Sequence, residues 1–478
     1  MSGKKDKVHR RRFLGAAGAS TIALGVTASL PSYGDTIPET NGSPPRSMAR
    51  VRDELIDYMQ TVEVIDTHEH IRPEAWRLRF PMDAVALFQT YTMLDLDSSV
   101  DPSIPADNLR KGYPYLTDPN IPLEERWRTI APHLEKIKHG AYYRATEIAL
   151  RDIYGVEEVN DSNYKEVSEK VRAANKPGFY HEVLRNRCNI KTCLVQCSGT
   201  HLEELAPRDL LTPIYSGSTC YKHSLIGFIH QLTETYGTEI EDLPGYLEAL
   251  GKYLKDQKDN GVAGFKTYAS GAWTHVIADT EAANVTFSEM VNGEARTIFA
   301  KMMAGGPNND NLEAAILDHV FKLAAEWDWP ISMHCGGAYM DFRVFQTRKL
   351  LDVITRYPET RFDLFHLGIP FAREIIFIAK QFSNITLNMT WAPLLSDSLT
   401  RQSVNEIIDT VPISKVIAFG GDYREDIENV YGHLVLTREL IADALTERIA
   451  RGRLDLEHAK HISKLWFYDN PTKIYRLG

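Results

Sequence analysis

The chain has 478 residues, of which 43% are hydrophobic, and a formal net charge of -10 at pH 7. A chain of this length can bury a large core, either as one big α/β domain or as two smaller domains. The negative charge argues against nucleic acid or an anionic membrane surface as the main partner. The five cysteines show no zinc-finger spacing, so we predict reduced core thiols, with disulfides or a structural zinc as alternatives.

The amino terminus has the order of segments that is typical of an export signal. Lysines and arginines precede an uncharged, Gly/Ala-rich run that extends to Leu30, and Val26-Thr27-Ala28 is a small-residue cleavage site. Arg10 to Leu14 read Arg-Arg-x-Phe-Leu, which resembles the twin-arginine signal of proteins that are exported in the folded state. We therefore predict a signal over residues 1–30, cleaved near Ala28, and a linker over residues 31–47.

Such a signal predicts that the mature protein is periplasmic or otherwise exported. The partner of the precursor would then be the twin-arginine export machinery. A retained membrane anchor is the alternative, although the apolar run is short for a full span and poor in Leu and Ile.

The first predicted core elements surround a pair of histidines. Residues 48–61 have the apolar periodicity of a helix, and Val64-Ile65 is typical of the end of a buried strand. His68 and His70 follow two residues apart. Because residues i and i+2 of an extended chain point to the same face, both imidazoles can reach one metal ion. The alternative is that they are surface residues placed there by chance.

A largely helical insertion is predicted after this first strand. Between about residues 72 and 187 strands are hard to find, whereas residues 122–138, 142–154 and 164–174 have helical patterns. The insertion would overhang the strand end that carries the histidines. Candidates to line the resulting mouth are Arg77, Arg79, Tyr142 and Tyr143, although nothing in their spacing demands it.

From about residue 188 onward, short apolar runs alternate with amphipathic helical stretches. The runs predicted as strands are residues 190–195, 210–215, 262–268, 330–334, 362–366, 385–390 and 416–419. This alternation is typical of parallel strands joined by right-handed crossovers. With the first strand there are about eight, the number that closes a (β/α)8 TIM-type barrel. We predict this barrel over residues 48–478. A doubly wound open sheet is the alternative, but no glycine-rich phosphate motif follows the first strand.

Polar residues fall at or near the ends of several predicted strands. His334, His366 and Asp422 each follow an apolar run, and Lys266 lies inside another. In a barrel these carboxyl ends converge on one mouth, where active sites of this fold lie. Each residue alone has a structural explanation, as a hydrogen-bonded core histidine or a helix cap. Several such residues at successive strand ends favour a functional site.

This order of residues resembles the metal-binding signature of the amidohydrolase superfamily. The signature comprises His68-x-His70, the strand-end residues His334 and His366, and the terminal Asp422; residues 469–475 are similar to the ending of its amidohydrolase-related branch. Members of this superfamily are (β/α)8 barrels that hold one or two divalent metals. The resemblance covers most of the chain from about Val64 onward and does not specify a reaction.

The resemblance implies roles for individual residues. His68, His70, His334 and Asp422 would bind the metal, for which Zn²⁺ suits the donor set. Asp422 would also act as general base beside a metal-activated water. His366 would polarise the substrate carbonyl or bind a second ion. Lys266 would be either a carboxylated bridge between two ions or an anion-binding or structural lysine, for which a partner is expected because a buried ammonium is costly.

A second resemblance, to uronate isomerase, concerns the substrate. Asp422-Tyr423-Arg424 is similar to its strand-eight Asp followed by an arginine that holds the sugar acid, and Trp391 and the helical insertion fit the same comparison. The stretches His334-Cys335-Gly336 and His366-Leu367-Gly368 depart from it and look more like hydrolases and decarboxylases. Arg424 could instead start the next helix and pair with a nearby glutamate.

These observations predict an exported metal-dependent hydrolase that acts on a small polar, carboxylate-bearing substrate. The alternatives on the same site are isomerisation of a uronate-like sugar acid and non-oxidative decarboxylation. A barrel that only binds a ligand is disfavoured by the complete set of metal-type residues. No nucleic-acid partner is expected, and a homo-oligomer is left open.

Overall fold

The computed structural model describes residues 36–37, 46–104, 108–198, 200–222, 224–268, 277–292, 307–337 and 347–478. The predicted export signal, residues 1–30, and most of the predicted linker, residues 31–47, lie outside the described residues. Among the helices of the described part, none combines the length and the apolar character needed to cross a membrane.

Eight parallel strands, numbered in chain order, form the centre of the molecule. They are β1 Val64–Glu69, β2 Ile190–Cys197, β3 Leu211–Ser216, β4 Phe265–Tyr268, β5 Ile331–His334, β6 Phe362–Leu364, β7 Ile385–Asn388 and β8 Val416–Ile417. Each strand pairs with the next one along the chain. A separate two-residue antiparallel pair joins Thr36–Ile37 to Arg46–Ser47.

Backbone hydrogen bonds between β1 and the segment after β8 close the sheet on itself. The amide of Thr67 donates to the carbonyl of Phe419 (3.2 Å), and the amide of Asp422 donates to the carbonyl of His68 (2.8 Å). The predicted (β/α)8 TIM-type barrel is therefore confirmed. Its closure brings the two histidines of β1 directly beside Asp422.

Helices surround the barrel. The main ones are Met48–Thr61, Leu225–Tyr236, Leu243–Asp259, Thr280–Asn292, Pro307–Glu326, Leu350–Arg356, Ala372–Gln381, Asp397–Thr410, Glu428–Ala450 and Leu456–Lys464. Their ends follow ordinary capping rules: the side chain of Asp242, for example, accepts the amide of Gly245 at 2.8 Å. The first helix buries Val51, Leu55 and Met59 against the barrel, which matches its predicted apolar face.

The segment between β1 and β2 forms the predicted helical insertion. Its helices are Glu74–Arg77, Thr92–Ser98, Tyr113–Leu116, Leu123–Ile137, Ala141–Tyr154 and Tyr164–Ala174, followed by the π-helix His181–Arg187. It has an apolar core of its own, which includes Trp127 and Tyr143. Tyr143 stacks on Phe88 inside that core, with ring centroids 5.6 Å apart. It therefore does not line the mouth, because the insertion needs its ring for packing.

The strand predicted over residues 362–366 is shorter than expected. β6 ends at Leu364, and His366 and Leu367 have φ values of 63° and 50°. Residues in the left-handed helical conformation cannot form the hydrogen bonds of a β-sheet, so the strand ends before His366. His366 therefore enters the site from a turn and not from the strand itself.

The predicted closing motif, residues 469–475, fills the end of the barrel opposite the mouth. The side-chain amide of Asn470 donates through Nδ2 to the carbonyls of Ile413 and Val416, both at 2.8 Å. The hydroxyl of Tyr475 enters the barrel interior, where it donates to Asp363 and lies 2.8 Å from the hydroxyl of Ser332. This segment thus adds hydrogen-bond partners to buried polar groups at that end of the barrel.

Candidate active site

Three predicted ligands converge at the mouth of the barrel. The Nε2 atoms of His68 and His70 lie 3.2 and 3.3 Å from Oδ1 of Asp422. One donor atom from each residue lies within 4.8 Å of the others, the spacing of a set that could hold one ion. His68 lies in β1, His70 directly follows that strand, and Asp422 lies in the segment after β8, so closure of the barrel assembles the set.

The chemistry of this set fits a divalent metal. Asp422 Oδ1 is buried and has no hydrogen-bond partner among the described residues. Two imidazoles and a carboxylate around such an oxygen are a donor set that suits Zn²⁺ and related ions. Burial and the nearby Lys266 ammonium hold the pKa of His68 well below its usual value, so its imidazole is neutral, the form that binds metals. The set therefore supports a divalent metal, without fixing which one.

Asp422 is ionised at neutral pH. Burial works against the charged carboxylate, but the adjacent imidazoles of His68 and His70 outweigh it, and the pKa of Asp422 lies well below its usual value. The residue also has φ of 65°, in the left-handed region that non-glycine residues rarely adopt. The surrounding structure must therefore hold it in place.

A pair of buried carboxyl groups provides that support. Asp66 and Glu69 lie close enough for each carboxyl group to affect the pKa of the other, and each accepts a backbone amide next to Asp422: Gly421 to Asp66 at 3.1 Å and Tyr423 to Glu69 at 2.7 Å. A Cβ at Gly421 would lie 1.9 Å from the carboxylate of Glu69. The glycine before Asp422 is thus required by the close approach of this pair. Sequence analysis missed the role of both carboxyl groups.

This pair predicts a pH-dependent contribution to stability. Burial raises the pKa of Glu69 well above its usual value and that of Asp66 to about 6, so the native pair retains a proton that the unfolded chain releases. The contribution is complete below the unfolded pKa near 4.5 and is lost as pH rises. In Glu69→Gln the amide supplies that proton permanently. The unfolding free energy of wild type relative to the variant should therefore fall between pH 5 and 8, by at most about 1.4 kcal/mol per pH unit.

The measurement is urea unfolding of both proteins at each pH. A wild-type stability that rises relative to the variant over this interval would contradict the shared proton. Far-ultraviolet circular dichroism at pH 5 is the control for an intact variant fold.

His334 and His366 form a hydrogen-bonded pair beside the metal set. Nδ1 of His366 lies 2.9 Å from the carbonyl of Thr390, and its Nε2 lies 2.9 Å from Nδ1 of His334. A carbonyl can only accept, so His366 carries its proton on Nδ1 and accepts one from His334. Burial lowers the pKa of His366 to about 4 and that of His334 well below its usual value. Both are neutral, and the Nε2 lone pair of His334 remains available.

Lys266 lies inside the barrel at the metal set. Its ammonium is 3.3 Å from Nε2 of His68 and 3.3 Å from the amide oxygen of Gln196, which is the expected polar partner. The ammonium also lies over the rings of Phe365 and Tyr268, at 4.9 and 5.1 Å from their centroids. Burial lowers the pKa of Lys266 to about 8. Both the bridging and the anion-binding roles stay predictions.

Aromatic side chains cover one side of the site. Trp391 is buried, with its ring centroid 5.2 Å from that of His366 and 4.2 Å from that of Tyr91. Burial and the nearby charge of Asp422 raise the pKa of Tyr91 well above its usual value. Tyr142 lies 6.0 Å from Tyr91. The insertion therefore contributes a protonated phenol to the site, which sequence analysis missed because no motif surrounds it.

A cavity of about 190 Å³ opens beside His70. Its lining includes His70, Ile71, Arg72, Pro73, Gln196, Cys197, Leu205 and Arg424. The volume is below the roughly 300–1,000 Å³ of pockets for drug-sized ligands, which favours a small substrate. Arg424 is one of the lining residues, and its role in holding a substrate acid stays a prediction. Arg77, by contrast, is fully buried under the insertion and does not line the mouth, because its guanidinium is bound to Glu425 and Glu428.

Comparison with known proteins agrees with this geometry. Residues 277–477 match a family model described as amidohydrolase. A search of curated sequences finds no significant match. The resemblance to the amidohydrolase superfamily is confirmed.

Solved amidohydrolase-type barrels share the fold along nearly their whole length. A glucuronate isomerase from Caulobacter crescentus is 19% identical, with a TM-score of 0.72 over 92% of this chain and 96% of the other. A uronate isomerase from Thermotoga maritima is 15% identical, with a TM-score of 0.70 over 89% and 97%. A candidate metal-dependent hydrolase from Lactobacillus casei is 17% identical, with a TM-score of 0.60 over 88% and 97%. At these identities the likeness concerns the fold.

Proposed function

We propose that this amidohydrolase-type barrel is a metal-dependent enzyme that isomerises a small sugar acid. The observation that carries the proposal is the cavity in which Arg424 lies beside the metal-type ligand His70. A guanidinium matches a carboxylate geometrically, so it can hold an acid with its other end at the metal set. Support also comes from the similarity to uronate isomerases over almost their full length.

The chain's own residues suit proton transfer between neighbouring atoms of such a substrate. Asp422 is ionised and buried, so it can accept a proton from the substrate. Tyr91 is protonated and lies near Asp422, so it can donate a proton to one substrate oxygen. In the return step Asp422 would give its proton to the neighbouring carbon, and Tyr91 would recover a proton from the second oxygen. Aldose–ketose interconversion requires this removal and return of protons across two adjacent carbons.

His68, His70 and Asp422 would hold the divalent metal. His334, the fourth predicted ligand, is not among the residues whose donor atoms lie within 4.8 Å of one another. When bound, such an ion polarises a carbonyl as a Lewis acid or lowers the pKa of a water molecule. Trp391 and the aromatic cover from the insertion exclude bulk water from that side of the site.

Hydrolysis is the second candidate. It is favoured by the match of residues 277–477 to an amidohydrolase family model and by the ionised Asp422, which could serve as general base for a water molecule. The two candidates differ in what happens to water, because hydrolysis transfers a water oxygen to the product and isomerisation does not.

The test is an assay of metal-loaded protein against uronates, benzoate-type acids, lactones and amides in ¹⁸O-labelled water. We expect turnover of a uronate without net addition of water to the product. Arg424→Gln should raise KM by about 10- to 100-fold, the value of a charge-assisted hydrogen-bonded pair. The control is Arg373→Gln, which removes a surface arginine paired with Glu406. Turnover of lactones or amides with incorporation of the label, and no turnover of uronates, would favour the hydrolase instead.

We further propose that the mature enzyme is exported by the twin-arginine route. The support is the Arg-Arg-x-Phe-Leu stretch at Arg10 to Leu14 and the cleavage site at Ala28. Expression of the full chain in a bacterium with and without that export system, followed by amino-terminal sequencing, is the test. A precursor processed equally well in both strains would contradict the proposal.

A further inference from the structure

The cavity beside His70 contains a second arginine. Its eight described lining residues include Arg72 and Arg424, and no carboxylate is among them. The whole chain, in contrast, has a net charge of -10. A cavity wall with two arginines, in a protein that is acidic as a whole, favours anionic ligands.

Arg72 is held in place from several sides. The residue before a proline is restricted to extended conformations, and Pro73 follows Arg72. The hydroxyl of Tyr180 donates to the carbonyl of Arg72 at 2.8 Å. The side chain lies over the ring of Trp76, at 5.2 Å from its centroid, and its Nε is 2.9 Å from the buried carboxylate of Glu425. The guanidinium therefore has a defined position before any ligand binds.

The Arg72 guanidinium has N–H groups besides the one that contacts Glu425. The bond to Glu425 uses Nε, one of the five N–H groups of a guanidinium, and the side chain remains 37% exposed. An arginine whose backbone, stem and Nε are fixed can offer its terminal nitrogens to an anion with little loss of conformational entropy.

Attachment of the insertion to the barrel does not account for Arg72. That attachment is already made by Arg77, whose buried guanidinium donates to the carbonyl of Glu425 and to the carboxylate of Glu428, both at 2.7 Å. Arg72 repeats the connection to Glu425 from the cavity side, where it is accessible. A binding role explains this position better than a second structural link.

We propose that Arg72 binds a second anionic group of the substrate, so that the preferred ligand is a small diacid. The inference rests on the proposed function, in which Arg424 holds the first carboxylate. The second group is a carboxylate or a phosphate ester, since both accept hydrogen bonds from a guanidinium. The cavity of about 190 Å³ limits the molecule to a short one.

The experiment measures binding of matched acids to metal-loaded protein by calorimetry. One pair is galacturonate and galactarate, and the other is gluconate and 6-phosphogluconate; within each pair the second acid carries the extra anionic group. Wild type should bind at least one of these diacids about 10-fold or more tightly than its monoacid. Arg72→Gln should lose about 10- to 100-fold in affinity for that diacid and less than about 3-fold for the monoacid. Arg72→Lys should keep part of the preference.

Arg187→Gln is the matched control, because Arg187 also pairs through Nε with a glutamate and is 35% exposed, but lies outside the cavity. Metal content of Arg72→Gln should equal that of wild type. Its unfolding temperature should fall, because the buried Glu425 carboxylate loses a cation, so binding is measured well below that temperature. Equal loss for monoacid and diacid, or no preference for either diacid in wild type, would overturn the role of Arg72. The proposed function stands in that case if monoacids bind and Arg424→Gln weakens them. It falls with the Arg72 proposal if no acid binds.

Discussion

Replacement of Asp422 by asparagine should remove metal binding and activity together. The carboxylate lies 3.2–3.3 Å from the Nε2 atoms of both His68 and His70, and an amide oxygen carries no negative charge with which to hold a cation beside the two imidazoles. Loss of an outer partner of a metal ligand already costs about 10- to 100-fold in affinity. Loss of the ligand itself should exceed about 100-fold, measured by competition with a chelator.

The control for this substitution is Asp259→Asn, which changes an exposed aspartate paired with Lys255 on a surface helix. It should leave metal affinity and turnover unchanged. Thermal unfolding in excess chelator separates a folding defect from a metal defect, because neither protein then contains the ion. Wild-type metal content and activity in Asp422→Asn would refute the assignment of Asp422 as ligand and base.

The second large effect concerns Arg77. Its side chain is fully buried and donates to Glu425, Glu428 and Asn175 at 2.6–2.7 Å. Replacement by methionine keeps much of the volume but leaves the buried carboxylate of Glu428 without its cation. Breaking a buried ion pair in this way costs about 3–5 kcal/mol in the free energy of unfolding. Urea unfolding of Arg77→Met and wild type measures the difference.

A comparison with Arg126→Met shows whether Arg77 also acts on the site. Arg126 forms a buried pair with Asp83 within the insertion, at 2.7 Å. Both variants should be destabilised by a similar amount. Only Arg77→Met should also weaken metal binding, because Glu425 and Glu428 begin the segment just after Asp422. Equal metal affinity in the two variants would show that Arg77 stabilises the insertion without supporting the site.

The barrel and its metal set could be predicted from the sequence because both depend on local patterns. Alternation of apolar runs and helical stretches is visible along the chain, and in parallel strands the carboxyl ends meet at one mouth. His68, His70 and Asp422 therefore came together as expected. The strand predicted through His366 was too long, since an apolar run does not reveal left-handed φ values at its end.

The residues that were missed depend on contacts between distant parts of the chain. Glu69 accepts the amide of Tyr423, 354 residues further on, and nothing near either residue indicates this pairing. Tyr91 lies in an insertion without a recognisable motif, and only the folded structure brings its hydroxyl to Asp422. Arg77 and Tyr143 were predicted as candidates to line the mouth, but both side chains are buried in the structure and do not line it. The periodicity of apolar residues indicates which face of a helix or strand is buried, but it does not identify the partner of a polar side chain on that face.

Tyr475 has a consequence for the order of events during synthesis. Its hydroxyl completes the hydrogen bonds of Asp363 and Ser332 inside the barrel, yet it leaves the ribosome after every one of the eight strands. A nascent chain can therefore contain the whole sheet while the lower end of the barrel is still open and its polar interior incomplete. Closure of the sheet and completion of its polar interior are therefore separate events, and the second requires the segment that carries Tyr475.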